Sequence, residues 1–307
     1  MMLAVLTGGT GGAKLIQGLS LEIDPKELFI IVNTADDLEL HGLHISPDLD
    51  TIMYTLAGIV DPSKGWGIKD DTFVALESLE RYGAETWFRL GDRDLATHLS
   101  RSRLLRQGDS LSAITRRLCS ALGVDAWLTP MSDDRIQTLL ETPEGEISFQ
   151  EYFVKRRWAP EVTRVTYAGA EASRPAAGIL ETIGKASAVI FCPSNPVTSI
   201  GPILSVPGIR SALQETEAKI IGVSPIVQSA AFSGPTTKLM EAVGIEPSSY
   251  GVALGYADLL DEIVIAEEDK PLKRRIQSLD VAVLPAHIRM DSLEDKRRLA
   301  REVLALT

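Results

Sequence analysis

Leu3-Ala4-Val5-Leu6-Thr7-Gly8-Gly9-Thr10-Gly11-Gly12-Ala13-Lys14 decides how the rest of the chain is read. Leu3 to Leu6 form a short, uninterrupted apolar run, as in a strand covered on both faces, and they lead straight into a glycine turn. Helical spacing follows from about Ala13 to Leu19, and Leu28-Phe29-Ile30-Ile31-Val32-Asn33 reads as a second strand. Strand, turn, helix and strand make a βαβ unit, in which the strands run parallel. The turn then lies at the carboxyl edge of the sheet, where unpaired N–H groups and the positive end of a helix favour an anion. Thr7 and Thr10 add hydroxyls, and Lys14 adds a charge.

The turn does not follow either common nucleotide pattern. Taking Gly9 and Gly11 as the first pair of a dinucleotide fingerprint puts Lys14 where the third glycine belongs, and Leu15 follows Lys14 where a P-loop has Ser or Thr. Hydride transfer and ATP hydrolysis both lose support. A tight strand-to-helix turn without a ligand is the plainer alternative.

After the second strand come Asn33-Thr34-Ala35-Asp36-Asp37 and, beyond a short loop, Ser46-Pro47-Asp48-Leu49-Asp50 ahead of a helix. Both stretches belong at the ligand crevice of a doubly wound sheet. Four carboxylates beside a phosphate-binding turn suit Mg²⁺, which one or two carboxylates hold together with substrate phosphates. Asp37, Asp48 and Asp50 are the candidate ligands. Capping is the competing reading, with Asp48 or Asp50 at the start of the helix and Asp36 in a turn. His41 and His44 lack further nitrogen or sulfur ligands and read as polar loop residues.

Farther along, helical patterns cover Thr51 to Ile59, Asp71 to Tyr82, Asp94 to Leu105 and Ser110 to Leu122, with Asp94, Asp109 and Ser110 at N-cap positions. Trp127 to Pro130, Ile147 to Val154 and Val162 to Tyr167 read as strands. The α/β rhythm resumes with a helix near Ala176 to Ile183, strands Ala188 to Cys192 and Lys219 to Val223 around a helix near Gly208 to Glu215, strands Ile263 to Ala266 and Val281 to Leu284, and a last helix from Ser292 to Leu304. Pro193-Ser194-Asn195-Pro196, Ser224-Pro225-Ile226 and Ser233-Gly234-Pro235-Thr236-Thr237-Lys238 repeat the arrangement of a polar loop at a strand's end. The expected fold is a doubly wound, mostly parallel, Rossmann-like α/β domain over residues 1–307, with a helical insertion at about 51–125 and a small β-rich portion at about 126–170.

Composition narrows the class. With 42 acidic against 31 basic residues the net charge is −11, and no basic tract tracks a nucleic-acid backbone. Cys119 and Cys192 have no metal or redox spacing and read as core thiols of a reducing compartment. No apolar run nears the ~20 residues needed to span a bilayer, and Met1 to Leu6 has no basic flank of a signal peptide, so a cytoplasmic enzyme is expected.

An ordered set of motifs resembles the 2-phospho-L-lactate transferase family of coenzyme F-420 biosynthesis. It comprises the glycine turn with Lys14, Asn33 to Asp37, Ser46 to Thr51, Trp66-Gly67, Leu90-Gly91-Asp92-Arg93-Asp94-Leu95-Ala96-Thr97-His98, Pro130 to Asp134, Phe149-Gln150, Pro193 to Pro196 and Ser224 to Ile226. The resemblance implies a Mg²⁺-dependent transferase moving a phospholactyl or phosphoenolpyruvyl group from a guanosine-diphospho donor to the deazaflavin Fo, with release of GMP, in a homodimer. Carried over residue by residue, it associates Asp50 and Arg89 with Fo. The guanosine diphosphate falls to Gly9, Thr10, Gly11 and Lys14 with Ser194 and Asn195. Arg93 is the candidate to meet a phosphate alongside Asp50, with a structural ion pair as its alternative, and Trp66 and Trp87 are candidates to stack on the deazaflavin or to fill core. A non-catalytic nucleotide-sugar-binding regulator, as among the gluconeogenesis-factor proteins, is the second hypothesis. Those proteins resemble this chain less after the second strand, where Asp-Asp is followed by Gly-Gly-Ser-Ser instead of Leu38-Glu39-Leu40.

Overall fold

A computed structural model describes residues 2–228, 230–231 and 234–307. Its main sheet has seven strands, numbered in chain order: β1 Leu3–Thr7, β2 Leu28–Val32, β3 Trp127–Pro130, β4 Ala188–Phe191, β5 Lys219–Val223, β6 Glu262–Ala266 and β7 Ala282–Ala286. Their order across the sheet is β7-β6-β5-β4-β1-β2-β3, and every neighbouring pair is parallel. The fold is therefore doubly wound. Connections run one way from β1 through β2 to β3 and the other way from β4 onward, so the switch lies between β1 and β4.

The apolar runs form strands because helices cover both faces. Ala4, Leu6, Phe29, Ile31, Val189 and Phe191 pack on one side with Ile179, Ile183 and Ile209, whereas Leu3, Val5, Leu28, Ile30 and Ile190 pack on the other with Leu15, Ile16, Ile52 and Leu299. Each fully buried Leu or Ile contributes about 1.5–3 kcal/mol, enough for these two layers to fix which face each residue takes. Cys119 and Cys192 are both buried thiols, and burial pushes each up to about 12. No described helix is long and apolar enough to cross a membrane.

Five helices fall between β1 and β3: α1 Gly9–Glu22, α2 Pro47–Leu56, α3 Val74–Arg81, α4 Asp92–Arg106 and α5 Leu111–Ala121, of which α1 and α2 reach the ligand edge. α1 begins four residues earlier than its apolar periodicity, because the glycines themselves enter its first turn. α2 also starts four residues before the expected Thr51, with Pro47 preset for a first helical position. Ser110 caps α5 as expected, accepting from the Ala113 N–H at 3.3 Å. Asp94 lies inside α4, and Asp71 caps that helix from across a loop, accepting from the N–H groups of Arg93 at 2.8 Å and Asp94 at 3.0 Å.

The β-rich portion is an antiparallel sheet in which Gln137–Thr142 lies between Gly145–Ser148 and Arg164–Ala168. The strand expected through Val154 ends at Ser148, and Glu151–Lys155 instead winds as one π-helical turn. A hairpin, Leu38–Leu40 with Leu43–Ile45, links the acidic segment to α2. Ser233 lies outside the described residues.

Candidate active site

Where the strand order reverses, a cleft of about 450 Å³ lies over the carboxyl ends of β1 and β4. One rim is the glycine turn. Gly9 has φ +68°, a left-handed conformation that a side chain resists, and a Cβ on Gly11 would come within 2.5 Å of the Pro193 carbonyl oxygen. The two loops are thus in backbone contact across the switch, and Ser194 ties them: its Oγ accepts from the Gly8 N–H at 3.2 Å and donates to the Gly8 carbonyl at 2.8 Å. Asn195 Oδ1 accepts from the N–H groups of Val197 and Thr198, at 2.8 and 3.2 Å, and so starts the turn Pro196–Ile200. Because α1 begins at Gly9, the N–H groups of its first turn have no partner inside the helix and face the cleft, as an anion site needs.

The four-carboxylate cluster divides into two pairs. Positions two apart on a helix point roughly opposite ways, about 200° round the axis, and α2 starts early enough to carry both Asp48 and Asp50. Asp48 lines the cleft; Asp50 does not. Asp36 lines it too, and the Asn33 amide bridges this first pair, donating to Asp36 Oδ2 at 3.1 Å and Asp48 Oδ2 at 3.0 Å. Burial, aided by the charge of Asp48, pushes the Asp36 carboxyl well above the carboxylate range. Burial likewise pushes Asp48 up to about 6, against the pull of the Asn33 amide and the Gly9 N–H.

Asp37 and Asp50 form the second pair, turned from the cleft. Asp37 Oδ2 accepts from Ser46 Oγ at 2.6 Å and meets His44 Nε2 at 2.9 Å. Asp50 accepts two parallel bonds from the Arg101 guanidinium, one of them at 3.0 Å, and is 4% exposed. Burial opposes the Arg101 charge, but Asp50 outweighs it and holds the guanidinium above its ordinary range. Below this pair, His98 Nε2 lies 3.2 Å from Asp94 Oδ1, to which Tyr54 Oη donates at 2.7 Å. Helix α4 therefore buries Asp94, His98 and Arg101 against α2 in place of an apolar stripe.

The remaining expected residues also separate. Arg89 lines the cleft with its guanidinium 4.3 Å above the Phe73 ring. Arg93 stays outside, its Nη1 donating to the Lys69 carbonyl at 3.1 Å. Lys14 sits in the second turn of α1 and faces the C-terminal helix, where burial and then the Lys14 charge lower the Lys296 ammonium. Trp66 and Trp87 both line the cleft, and Trp66 is 40% exposed, so neither is core filling.

Sequence reasoning did not find the opposite wall. Phe149, Phe153 and Trp158 line the cleft as a stack, with ring centroids 5.4 and 5.5 Å apart and planes inclined by 5° and 21°. Phe149-Gln150 was among the motifs of the resemblance, but nothing in the sequence joined it to Phe153 and Trp158, since a spacing of four reads as strand or helix alike. Gln150 donates to the Asp36 carbonyl at 3.1 Å and so joins this wall to the acidic pair.

The Asp36–Asp48 pair has the donor chemistry for a hard divalent cation. The buried Asp36 and half-buried Asp48 carboxylates share one amide, and Asp36 Oδ1 has no hydrogen bond of regular geometry among the described residues. No group of three or more His, Cys, Asp or Glu side chains converges there among the described residues, so substrate oxygens and water would have to complete a metal's shell. Mg²⁺ binds in that way.

A family model described as 2-phospho-L-lactate transferase CofD matches residues 3–305. A 2-phospho-L-lactate transferase of Methanosarcina acetivorans is 43% identical over 302 residues, 98% of either chain. A phosphoenolpyruvate transferase of Streptomyces griseus is 42% identical over 313 aligned positions, covering 100% of this chain and 98% of that one. Among solved structures, a UPF0052-family protein of Bacillus halodurans superposes with a TM-score of 0.64 at 17% identity over 98% of both chains, a likeness of fold. Taken with the parallel sheet and the cleft at its switch point, the full-length match means that this chain belongs to the 2-phospho-L-lactate transferase CofD family.

Proposed function

We propose that the chain transfers a phospholactyl or phosphoenolpyruvyl group from a guanosine-diphospho donor to the ribityl hydroxyl of the deazaflavin Fo, releasing GMP, with Mg²⁺ as its cofactor. One observation carries this reading: a single cleft holds a diphosphate-sized turn of helix N–H groups, a paired carboxylate site and a wall of stacked aromatic rings. These are the three recognition elements such a donor, cation and planar acceptor require. Relatives named for phospholactate and for phosphoenolpyruvate transfer stand at 43% and 42% identity, which leaves both donors in the proposal.

In this reading the first turn of α1 receives the diphosphate and the Ser194 hydroxyl keeps that turn against the loop after β4. The deazaflavin ring lies along Phe149, Phe153 and Trp158, with Arg89 on the facing rim. Asp36 and Asp48 would hold Mg²⁺, which supplies neutralisation of charge on the diphosphate. The acceptor oxygen forms a bond to the phosphorus bearing the three-carbon acid, the bond from that phosphorus to the bridging oxygen breaks, and GMP leaves with the electron pair. The hydroxyl proton leaves to solvent through the mouth of the cleft, because carboxylates that hold a cation lose the raised proton affinity of the metal-free pair. Asp50 acts at one remove, through Arg101, by fixing the helix that presents Asp48. Purified chain incubated with Mg²⁺, Fo and each donor should yield coupled deazaflavin and GMP by liquid chromatography and mass spectrometry; absence of both products with both donors refutes the assignment.

A further inference from the structure

The aromatic wall rests on a backbone that the local sequence does not favour. After the π-helical turn Glu151–Lys155, Arg157 has φ +50° and Trp158 φ +47°, two consecutive left-handed residues with side chains. Such a conformation persists only where its surroundings over-determine it, and it clusters at ligand clamps. Hydrogen bonds from the Arg156 N–H to the Glu151 carbonyl and from the Trp158 N–H to the Tyr152 carbonyl, both 2.9 Å, set the turn's entry. Its exit is set from another element. Lys238 Nζ donates to the carbonyls of Trp158 at 2.8 Å, Ala159 at 3.1 Å and Pro160 at 2.8 Å.

An ammonium has three protons, and all three are engaged here by consecutive carbonyls. The same ammonium lies 6.0 Å over the Tyr152 ring. Lys238 sits on the helix Thr236–Ala242, whose approach through Gly234 and Pro235 lines the cleft, and a Cβ on Gly234 would lie 3.1 Å from the Phe153 ring. Lys238 thus fastens one cleft wall to the next. The ring it fastens is not core, since Trp158 stays 44% exposed while stacked on Phe153. A charge placed to gather backbone carbonyls under an exposed indole shapes a surface that a ligand would meet.

We propose that Lys238 is a positioning residue for the acceptor: by collecting the carbonyls of Trp158, Ala159 and Pro160 it holds the left-handed pair Arg157 and Trp158, and so keeps the Trp158 indole in line with Phe153 and Phe149 as a seat for a flat polycyclic ring. This rests on the reading that the wall receives the deazaflavin. It gives a role to the basic end of the polar loop Ser233-Gly234-Pro235-Thr236-Thr237-Lys238.

The test compares Lys238→Met, which keeps the length and removes the charge, with Lys238→Arg, which keeps charge and donors, and with Trp158→Ala. Two readouts are taken: the KM for Fo and for the donor separately, and the near-ultraviolet circular dichroism contributed by Trp158, obtained by difference against Trp158→Phe in each background. Lys238→Met is expected to lose the Trp158 band and raise the KM for Fo about tenfold, about 1.4 kcal/mol, at unchanged donor KM, and Lys238→Arg to restore most of both. An unchanged Trp158 band, or an unchanged KM for Fo where Trp158→Ala raises it, overturns the role of Lys238. If the band is lost but neither variant moves the KM for Fo, the acceptor assignment of the wall falls and the binding role of Lys238 falls with it. Should Lys238→Met fail to fold, Arg157→Gly, which relieves one left-handed residue, is added to the same background and read in the same way.

Discussion

Replacing Asp48 by Asn should make the metal-free chain more stable while ending its activity. Burial pushes the Asp48 carboxyl up to about 6, roughly two units above its ordinary value, so the folded chain binds that proton more tightly than the unfolded chain does. Stability from this group is therefore fully present below the unfolded pKa and is lost as pH rises from about 4 to above 6. By pH 8 the loss is on the order of 3 kcal/mol, and at pH 5 about half of that. Asn removes the charge but forfeits one of the two bonds that the carboxylate accepts from the Asn33 amide and the Gly9 N–H, about 1 kcal/mol. The net gain is about 2 kcal/mol at pH 8 and about 0.5 kcal/mol at pH 5. For 307 residues about 1.6 °C accompanies each kcal/mol, so differential scanning calorimetry in chelator should show Asp48→Asn melting about 3 °C above wild type at pH 8 and about 1 °C above it at pH 5. Mg²⁺ at about ten times its Kd should raise the wild-type midpoint at pH 8 by about 2 °C, and should do much less for the variant. A variant that melts lower than wild type by the same amount at both pH values, or that keeps the full Mg²⁺ shift, would refute the assignment of Asp48 to a buried, cation-holding pair.

Other perturbations separate the roles that the cleft and its supports play. Gly11→Ala puts a methyl 2.5 Å from the Pro193 carbonyl and must move the start of α1, so calorimetric affinity for GDP should drop about tenfold or more while the midpoint falls by about 2–5 °C. Asp50→Ala or Arg101→Met leaves one buried charge without its partner and should cost about 3–5 kcal/mol, or about 5–8 °C, whereas the double change Asp50→Leu with Arg101→Met should recover much of that in a thermal melt. Arg93→Ala removes a guanidinium that, among the described residues, bonds the Lys69 carbonyl, so its turnover should stay within about twofold of wild type and its stability within about 0.5 kcal/mol.

How much of this could be read in the sequence depends on which signal each element leaves. The seven-stranded sheet was legible because strands buried on both faces need unbroken apolar runs, and Leu3 to Leu6, Leu28 to Val32 and Ala188 to Phe191 have them. The position of the glycine turn at the carboxyl edge of the sheet followed from the βαβ order alone. Direction round a helix did not. Whether Asp48 or Asp50 looks into the cleft turns on where α2 begins, and moving its first residue from Thr51 to Pro47 converts two candidate caps into two opposed faces. Nor does α4 advertise its inner side, because it buries Asp94, His98 and Arg101 where periodicity looks for apolar residues, so the Arg101 that holds Asp50 left no signature. The aromatic wall was hidden for a related reason. Phe149 and Phe153 are four apart, a spacing that strand and helix share, and Trp158 joins their stack through two left-handed residues whose following carbonyls Lys238, eighty positions away, gathers. Sequence therefore shows where a strand must end and a ligand can sit. Which side chains reach that ligand is set by helix phase and by long-range bonds, and those arise only once the two cores have packed.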